Sequence, residues 1–232
     1  MIIHRNIEQN TEAWHKLRHG KLTASDFKSL ITEKTHKITS DTRIKALAYD
    51  KAVESIFNYK EWEAASEEII YNSSDIERGH RLEPIARQEY EARTLTPVEE
   101  VGFIESECGL IGYSPDGLVG EEGLIEIKAP RKEKHIRTIL ENEVPLEHIA
   151  QIQGGLYLSN RKWLDFISYN EECNNLRIRS SLGHNYDVKY FDKICIIRVY
   201  RDEEYIAKLQ EALIKYTNYF NMQLKNIKNK LK

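Results

Sequence analysis

The sequence predicts an α/β (α+β) fold in which a central mixed β-sheet is flanked by helices. Helical and strand patterns follow one another in the order helices, strands, helices, strands, helix, which is typical of this fold class. The 232 residues contain no internal repeat and no low-complexity linker. A chain of this length can bury a substantial core. We therefore expect residues 1–232 to form a single domain.

Composition argues against several classes of protein and leaves others open. The chain has no apolar run of membrane-spanning length and no charged-then-apolar leader after Met1, which predicts a cytoplasmic protein. Cys108, Cys173 and Cys195 are widely spaced, which argues against a disulfide framework, a zinc cluster or an iron–sulfur site. The net charge of −3 does not indicate a nucleic-acid-binding protein. A basic channel can nevertheless coexist with acidic outer surfaces.

The first predicted element is a short helix over residues 11–19, with Thr11 as its N-cap and Gly20 as its stop. The stretch Thr23-Ala24-Ser25-Asp26 is rich in N-cap residues and begins a second helical pattern. Arg18 then lies just before a helix start, whose free N–H groups and positive dipole end suit a terminal phosphate. On these residues alone, an ordinary helix–turn–helix with a surface arginine is the simpler interpretation.

A polar loop over residues 32–41 follows, and its basic residues make it a candidate DNA contact, although a solvated loop is the default interpretation. The basic residues in or beside it are Lys34, Lys37 and Arg43. Residues 42–59 have the spacing of a helix, and residues 60–74 are acidic and contain no motif.

Residues 75–94 have a helical pattern, with an apolar stripe that includes Leu82 and Tyr90. Pro84 is difficult to place within it, because proline removes a backbone donor and disfavours helix at Glu83. Either the helix kinks there or it begins near Pro84. Both alternatives put Glu83 at an irregular position where a carboxylate can turn into a site. By itself it is equally a surface glutamate on an amphipathic helix.

The remaining elements are predicted from alternation, β-branched content and helical spacing. The predicted strands are residues 101–105, 110–114, 124–128, 162–169 and 194–200, and the predicted helices are residues 132–140, 148–159 and 202–226. Residues 171–189 are predicted to be a surface loop or a hairpin extension. Gly154-Gly155 weakens its helix by roughly 1 kcal/mol per residue relative to alanine, so close packing or a nearby ligand is expected there.

The strongest chemical signal is the stretch from Ser114-Pro115-Asp116 to the strand that carries Glu126 and Lys128. Side chains alternate along a strand, so Glu126 and Lys128 share a face, with Cα atoms roughly 6.5–7 Å apart. Charges on an apolar strand are costly unless they bind a metal or pair with each other. Carboxylates are the ligands that Mg²⁺ and Mn²⁺ prefer. Lys128 would orient or deprotonate an attacking water, or neutralise charge on a phosphate.

Six short motifs, in order, resemble those of the phage lambda exonuclease (YqaJ-type viral recombinase) family, within the PD-(D/E)xK nuclease superfamily. They are Ala13-Trp14-His15-Lys16-Leu17-Arg18, Thr23-Ala24-Ser25, Arg78-Gly79-His80-Arg81-Leu82-Glu83, Ser114-Pro115-Asp116-Gly117-Leu118, Glu126-Ile127-Lys128-Ala129-Pro130 and Ala150-Gln151-Ile152-Gln153. The resemblance extends from Trp14 to the final helix and is far more specific than the acid spacing, which occurs often by chance.

The resemblance implies a restriction-endonuclease-like core that degrades linear duplex DNA from its 5′ ends. It also implies two Mg²⁺ ions per site, for which Mn²⁺ can substitute. It implies that Asp116, Glu126 and the Ile127 carbonyl bind metal and that Lys128 is the catalytic lysine. It also places Glu83 and Gln151 near the metals, with Glu83 completing or extending their ligand shell.

The same resemblance implies that Arg18, Ser25 and Thr23 hold the 5′ phosphate. A second phosphate-binding arginine is expected downstream, and Lys34, Lys37 and Arg43 all remain candidates for its role. The resemblance further implies that the chain forms a trimeric ring around DNA and works with a single-strand annealing protein. A phage or prophage protein in the bacterial cytoplasm is therefore expected.

Three alternatives remain open from the sequence. The same core serves endonucleases and CRISPR-associated exonucleases, although the latter normally add a cysteine cluster that this chain lacks. A non-catalytic DNA-end-binding protein is disfavoured, because a site that has lost its catalytic activity has little reason to keep unpaired charges buried.

Overall fold

The computed structural model describes residues 1–66, 73–173, 176–179 and 188–231. In this part of the chain the α-helices are α1 Glu12–Arg18, α2 Asp41–Glu54, α3 Tyr59–Ser66, α4 Ser73–Thr94, α5 Lys132–Glu141, α6 Leu146–Ser159 and α7 Glu203–Lys230. Two 3₁₀ helices span Ala24–Ser29 and Glu171–Cys173. None of the described helices combines the length and apolar character needed to cross a membrane.

Within the described residues, the strands form two mixed sheets and a separate antiparallel pair. They are β1 Ile2–His4, β2 Leu22–Thr23, β3 Val98–Glu99, β4 Phe103–Glu105, β5 Ile111–Tyr113, β6 Gly117–Val119, β7 Gly123–Lys128, β8 Trp163–Tyr169, β9 Leu176–Arg179, β10 Val188–Phe191 and β11 Ile194–Tyr200. The five-stranded sheet has the order β11-β8-β7-β6-β3, and the four-stranded sheet has the order β1-β4-β5-β2. Each contains one parallel pair, β7 with β8 and β2 with β5. The predicted fold class is confirmed, with its strands divided between two sheets.

Two apolar cores lie on opposite faces of β7. Leu124 belongs to the larger core, which contains buried residues of α2, α6, α7 and the first 3₁₀ helix. Ile125 and Ile127 belong to the smaller core, together with Leu82 and Tyr90 of α4. Because side chains alternate along a strand, Glu126 shares its face of β7 with Leu124, on the side of the larger core.

The structure corrects several predicted elements. α4 runs without interruption from Ser73 to Thr94 and contains Pro84 within it, so the alternative in which the helix begins near Pro84 is wrong. α2 ends at Glu54 instead of continuing to residue 59, and α3 occupies a stretch for which no element was predicted. The cap-rich stretch begins a 3₁₀ helix, and four short strands (β1, β2, β3 and β6) were not predicted.

The predicted connection over residues 171–189 contains a 3₁₀ turn and the antiparallel pair β9–β10, in agreement with the hairpin alternative. Its residues 174–175 and 180–187 lie outside the described residues, as do residues 67–72 of the acidic stretch.

Candidate active site

Asp116 lies in the short loop between β5 and β6, directly after Pro115. Its Oδ2 atom accepts a hydrogen bond of 2.6 Å from the backbone N–H of Ile127. Since Ile127 stands between Glu126 and Lys128 on β7, this bond ties the loop to the centre of the predicted motif. The two acids thus approach each other from a loop and from the neighbouring strand.

Glu126 is buried, with 1% of its surface exposed, and three donors surround it. Its Oε1 atom accepts from Lys128 Nζ and from Gln151 Nε2, both at 2.6 Å. Its Oε2 atom accepts from the Tyr113 hydroxyl at 3.1 Å. A buried carboxylate is tolerated when its lone pairs are satisfied in this way. Gln151 of α6 therefore helps to fix the carboxylate that the sequence identified as a metal ligand.

Glu83 approaches the same loop from α4. The Arg87 guanidinium donates to Glu83 Oε1 at 2.6 Å and to the backbone carbonyl of Asp116 at 3.1 Å. Because Arg87 is one helical turn after Glu83, the two side chains lie on the same face of α4.

The three acids are electrostatically coupled. Burial raises the pKa of Asp116 well above its ordinary value, and the charges of Glu126 and Glu83 raise it further. Burial likewise raises the pKa of Glu83, against the opposing charge of Arg87. Burial alone would lower the pKa of Lys128, but the charges of Glu126 and Asp116 outweigh it and the pKa is raised. A bound cation would relieve the repulsion among these carboxylates.

Arg18 is held beside the acids by two contacts. Its Nη1 atom donates to the Ser114 hydroxyl oxygen at 2.8 Å, and its guanidinium lies 4.2 Å from the centroid of the Trp14 ring. The Trp14 indole N–H donates to the same hydroxyl oxygen at 3.0 Å. Burial lowers the pKa of Arg18, but an arginine stays charged under ordinary conditions.

The start of the first 3₁₀ helix faces Arg18. The Thr23 backbone N–H donates to the Asp26 carboxylate at 3.1 Å, which fixes the turn. The Thr23 and Ser25 hydroxyl oxygens lie 2.9 Å apart. The Thr23 hydroxyl itself donates to the Asp26 carboxylate at 3.0 Å. The Ser25 hydroxyl and the Arg18 guanidinium are therefore the donors available to an anion.

The predicted anchor and the predicted hydrolytic residues line one pocket of about 200 Å³. The residues predicted from the sequence that line this pocket are Arg18, Thr23, Ser25, Glu83, Asp116, Glu126, Lys128 and Gln151. Ile127 does not line it, and lines instead an adjoining pocket that shares Glu83, Asp116 and Lys128 with it. Lys34, Lys37 and Arg43 do not line the first pocket either. Lys37 is exposed in the loop before α2, and Arg43 is exposed in the first turn of α2.

Several other residues that line the pocket or contact its acids were missed in the sequence. Tyr113 and Ser114 directly precede the Pro-Asp pair, and Trp14 lies in the first motif, so proximity to a motif was the available signal. For Arg87 the sequence offered a weaker signal, namely its position four residues after Glu83. For Gln9 it offered no signal, because Gln9 lies before the first motif.

The donor set fits a hard divalent cation in chemistry, since it offers carboxylate oxygens and a strand carbonyl at Ile127. Among the described residues, no group of three or more His, Cys, Asp or Glu side chains is already arranged around a common metal position. Asp116 and Glu126 supply two such side chains, and Arg87 holds Glu83. Mg²⁺ sites in proteins are commonly built from one or two carboxylates completed by water.

Comparison with known proteins gives a family match over the part of the chain that carries the candidate site. Residues 13–162 match the YqaJ-like viral recombinase domain, and this range contains every predicted site residue. No curated protein sequence gives a significant match.

Solved structures of exonucleases match nearly the whole chain. An alkaline exonuclease (LHK-Exo) from Laribacter hongkongensis is 28% identical, with a TM-score of 0.73 over 95% of this chain and 98% of that chain. Its complex with dAMP gives the same values. A phage-related exonuclease from Haemophilus somnus 129PT is 16% identical, with a TM-score of 0.58 over 92% of this chain and 99% of that one, and shows the fold alone. The match over residues 13–162 confirms the family that the sequence motifs indicated: the chain belongs to the YqaJ-like viral recombinase domain family.

Proposed function

We propose that this chain is a Mg²⁺-dependent 5′→3′ exonuclease that degrades linear double-stranded DNA from 5′-phosphorylated ends. Its products would be mononucleotides and 3′ single strands for recombination by single-strand annealing. The observation that carries the proposal is the shared pocket, in which Arg18 is bonded to Ser114 and Ser114 lies two residues before Asp116. An anchor for a terminal phosphate beside a hydrolytic centre favours cleavage close to an end.

The acids and the Ile127 carbonyl would bind the divalent metal. The family resemblance implies two ions in this site. A divalent cation supplies Lewis-acid polarisation of the scissile phosphate, and Mn²⁺ is expected to replace Mg²⁺. Glu126 would keep its orientation through Gln151 and Tyr113, whose hydrogen bonds restrict the carboxylate.

Lys128 would act on the water or on the phosphate. Its ammonium lies 2.6 Å from Glu126, within the same pocket as the anchor. From there it can orient the attacking water, or neutralise the charge that develops on the phosphate.

The anchor would select the substrate. Arg18 and Ser25 would bind the 5′ phosphate through charge-assisted hydrogen bonds. Thr23 would support Ser25, since its own hydroxyl donates to Asp26. Lys37 and Arg43 remain candidates for a further DNA contact outside the pocket. The exonuclease structures support the proposal only as far as nuclease activity, and the dAMP complex of one of them is in keeping with a mononucleotide product.

The wider setting is proposed from family membership. A homotrimeric ring around DNA, a single-strand annealing partner and a phage or prophage origin in a bacterial cytoplasm are all consistent with a viral recombinase domain. We also propose that the chain acts as one nuclease domain.

End-labelled linear duplex and closed circular duplex, each with and without Mg²⁺, test the activity and its polarity. We expect 5′-labelled mononucleotides from linear DNA with Mg²⁺ and intact circular DNA. Asp116→Asn and Lys128→Ala should each lower the rate by at least about 100-fold, while the proteins stay folded and bind DNA.

Other outcomes would contradict the proposal. Cleavage of circular DNA would identify an endonuclease. Binding without cleavage in both Mg²⁺ and Mn²⁺ would identify a non-catalytic end-binding protein. Unchanged activity in either variant would remove the proposed site.

A further inference from the structure

Arg87 joins three separate segments of the chain at the edge of the pocket. Besides its bonds to Glu83 and to the Asp116 carbonyl, its Nη1 atom lies 2.8 Å from Glu100 Oε2. The Arg87 side chain is only 11% exposed, whereas that of Glu100 is 69% exposed. The two less exposed contacts of the guanidinium are therefore those made to the Glu83 carboxylate and to the backbone carbonyl of Asp116.

Gln9 holds the neighbouring carbonyl of the same loop. Its Nε2 atom donates to the Pro115 carbonyl at 2.8 Å and to the Val101 carbonyl at 2.9 Å. Two consecutive carbonyls, those of Pro115 and Asp116, are thus fixed from outside the loop by Gln9 and Arg87. With its backbone held in this way, the Asp116 carboxylate points toward the Ile127 N–H and the pocket.

We propose that Arg87 and Gln9 are positioning residues that hold Asp116 and Glu83 in the arrangement that binds the divalent cation. This inference rests on the proposed function, because it takes the acids of the pocket as a metal site. Residues that orient metal ligands typically contribute 10- to 100-fold to metal affinity, even though they never touch the metal.

Geometry, and not charge, explains why an arginine occupies position 87. The planar guanidinium offers five donors in a rigid fork and reaches Glu83, the loop carbonyl and Glu100 at once. A lysine has one nitrogen and cannot bridge these acceptors. A positive charge at this position repels a cation, so its loss alone would strengthen metal binding. Arg87→Lys keeps the charge and removes the fork, which separates the two effects.

Arg161 offers a matched control. It is also a buried arginine, 8% exposed, that clamps a loop by donating to the carbonyls of Gly120 at 2.8 Å and Gly123 at 2.6 Å. It does not line the pocket. Arg161→Lys should therefore lower stability without changing metal affinity.

The experiment is a calorimetric titration of the full chain with Mn²⁺ in the absence of DNA. The melting temperature is measured in parallel. We expect Arg87→Lys and Gln9→Ala each to raise the Kd for Mn²⁺ by about tenfold or more, and Arg161→Lys to leave it unchanged. Gln9 is only partly buried, so Gln9→Ala keeps the test available if Arg87→Lys does not fold.

A Kd within about twofold of wild type in the folded variants, or an equal rise in Arg161→Lys, would overturn the positioning role and leave the proposed function standing. Failure of the wild-type chain to bind Mn²⁺ would instead overturn the proposed function, and this inference with it.

Discussion

At the scale of single residues, Arg18 is the side chain on which the proposed end-directed cleavage depends. Its contacts with Trp14 and Ser114 hold the guanidinium before any substrate arrives. A preorganised donor loses little entropy on binding. We therefore expect substrate selection to depend on this residue more than the chemical step does.

Arg18→Ala should slow digestion of 5′-phosphorylated ends by roughly 10- to 100-fold more than that of 5′-hydroxyl ends. The factor follows from about 1.5–3 kcal/mol for a hydrogen bond to a charged group. Initial rates on the two linear substrates measure it. Lys215→Ala, which changes an exposed lysine paired with Glu211 on α7, serves as the control and should affect neither rate. Equal slowing on both ends would mean that Arg18 has only a structural role.

The sequence predicted Asp116, Glu126 and Lys128 from residue type and spacing, and it predicted Glu83, Gln151 and the anchor from motifs that resemble those of the family. It did not predict the residues that hold them. Gln9 and Tyr113 act through partners that only the folded chain brings near, such as the Pro115 carbonyl and the Glu126 carboxylate. Local spacing carries no information about such tertiary contacts.

At the scale of elements, the packing of α6 against the first 3₁₀ helix keeps the two halves of the pocket together. A Cβ atom at Gly154 would lie 2.2 Å from Phe27 Cδ2, and one at Gly155 would lie 2.7 Å from Tyr113 Cε1. The glycine pair thus allows close packing, which is one of the two explanations that the sequence left open. α6 carries Gln151, and the 3₁₀ helix carries Ser25.

Gly154→Ala should lower the free energy of unfolding by about 1–3 kcal/mol, because the new methyl group overpacks a buried contact. Gly79→Ala is the matched control on α4, where no atom lies within 4 Å of the added Cβ. There the gain in helix propensity should stabilise the protein by about 0.5–1 kcal/mol. Urea denaturation of both variants measures the difference. A Gly154→Ala variant as stable as wild type would show that α6 can shift without cost.

Elements whose apolar residues repeat with a clear helical or strand period were predicted well, and elements without such a pattern were not. α5, α6 and α7 lie close to their predicted bounds, and so do β8 and β11. Strands of two or three residues, such as β2 and β6, are too short to show alternation. Pro84 misled the prediction of α4, because packing of Leu82, Ala86 and Tyr90 against the sheet outweighs the loss of one helical hydrogen bond.

At the scale of the whole molecule, one buried and one partly buried histidine make stability depend on pH. His148 stacks on Phe166 with ring centroids 5.3 Å apart, and its side chain is 20% exposed. Burial, together with the charge of Lys128, lowers the pKa of His148 to about 4. Burial also lowers the pKa of His135. Both side chains favour the neutral form in the folded protein.

The folded pKa of His148 lies below its unfolded value of about 6.5, so the unfolded chain binds more protons between these two values. Stability is therefore retained above about pH 6.5 and falls as the pH is lowered. At pH 5 the loss from His148 should be about 2 kcal/mol. The free energy of unfolding, measured at pH 7.5 and pH 5 in wild type and His148→Gln, should fall by that much less in the variant. An identical fall would exclude this histidine as a source of acid sensitivity.

The parallel pairing of β2 with β5 also has a kinetic consequence. The ladder joins Leu22 to Ile111 and Thr23 to Gly112, so the anchor half and the acid half of the pocket meet only through contacts that are distant in sequence. Such contacts require closure of a long loop and form slowly during folding. A chain growing on the ribosome carries no complete pocket until Gln151 has emerged. The pocket that we propose for cleavage is therefore completed late in synthesis, and no inhibitor is needed to delay it.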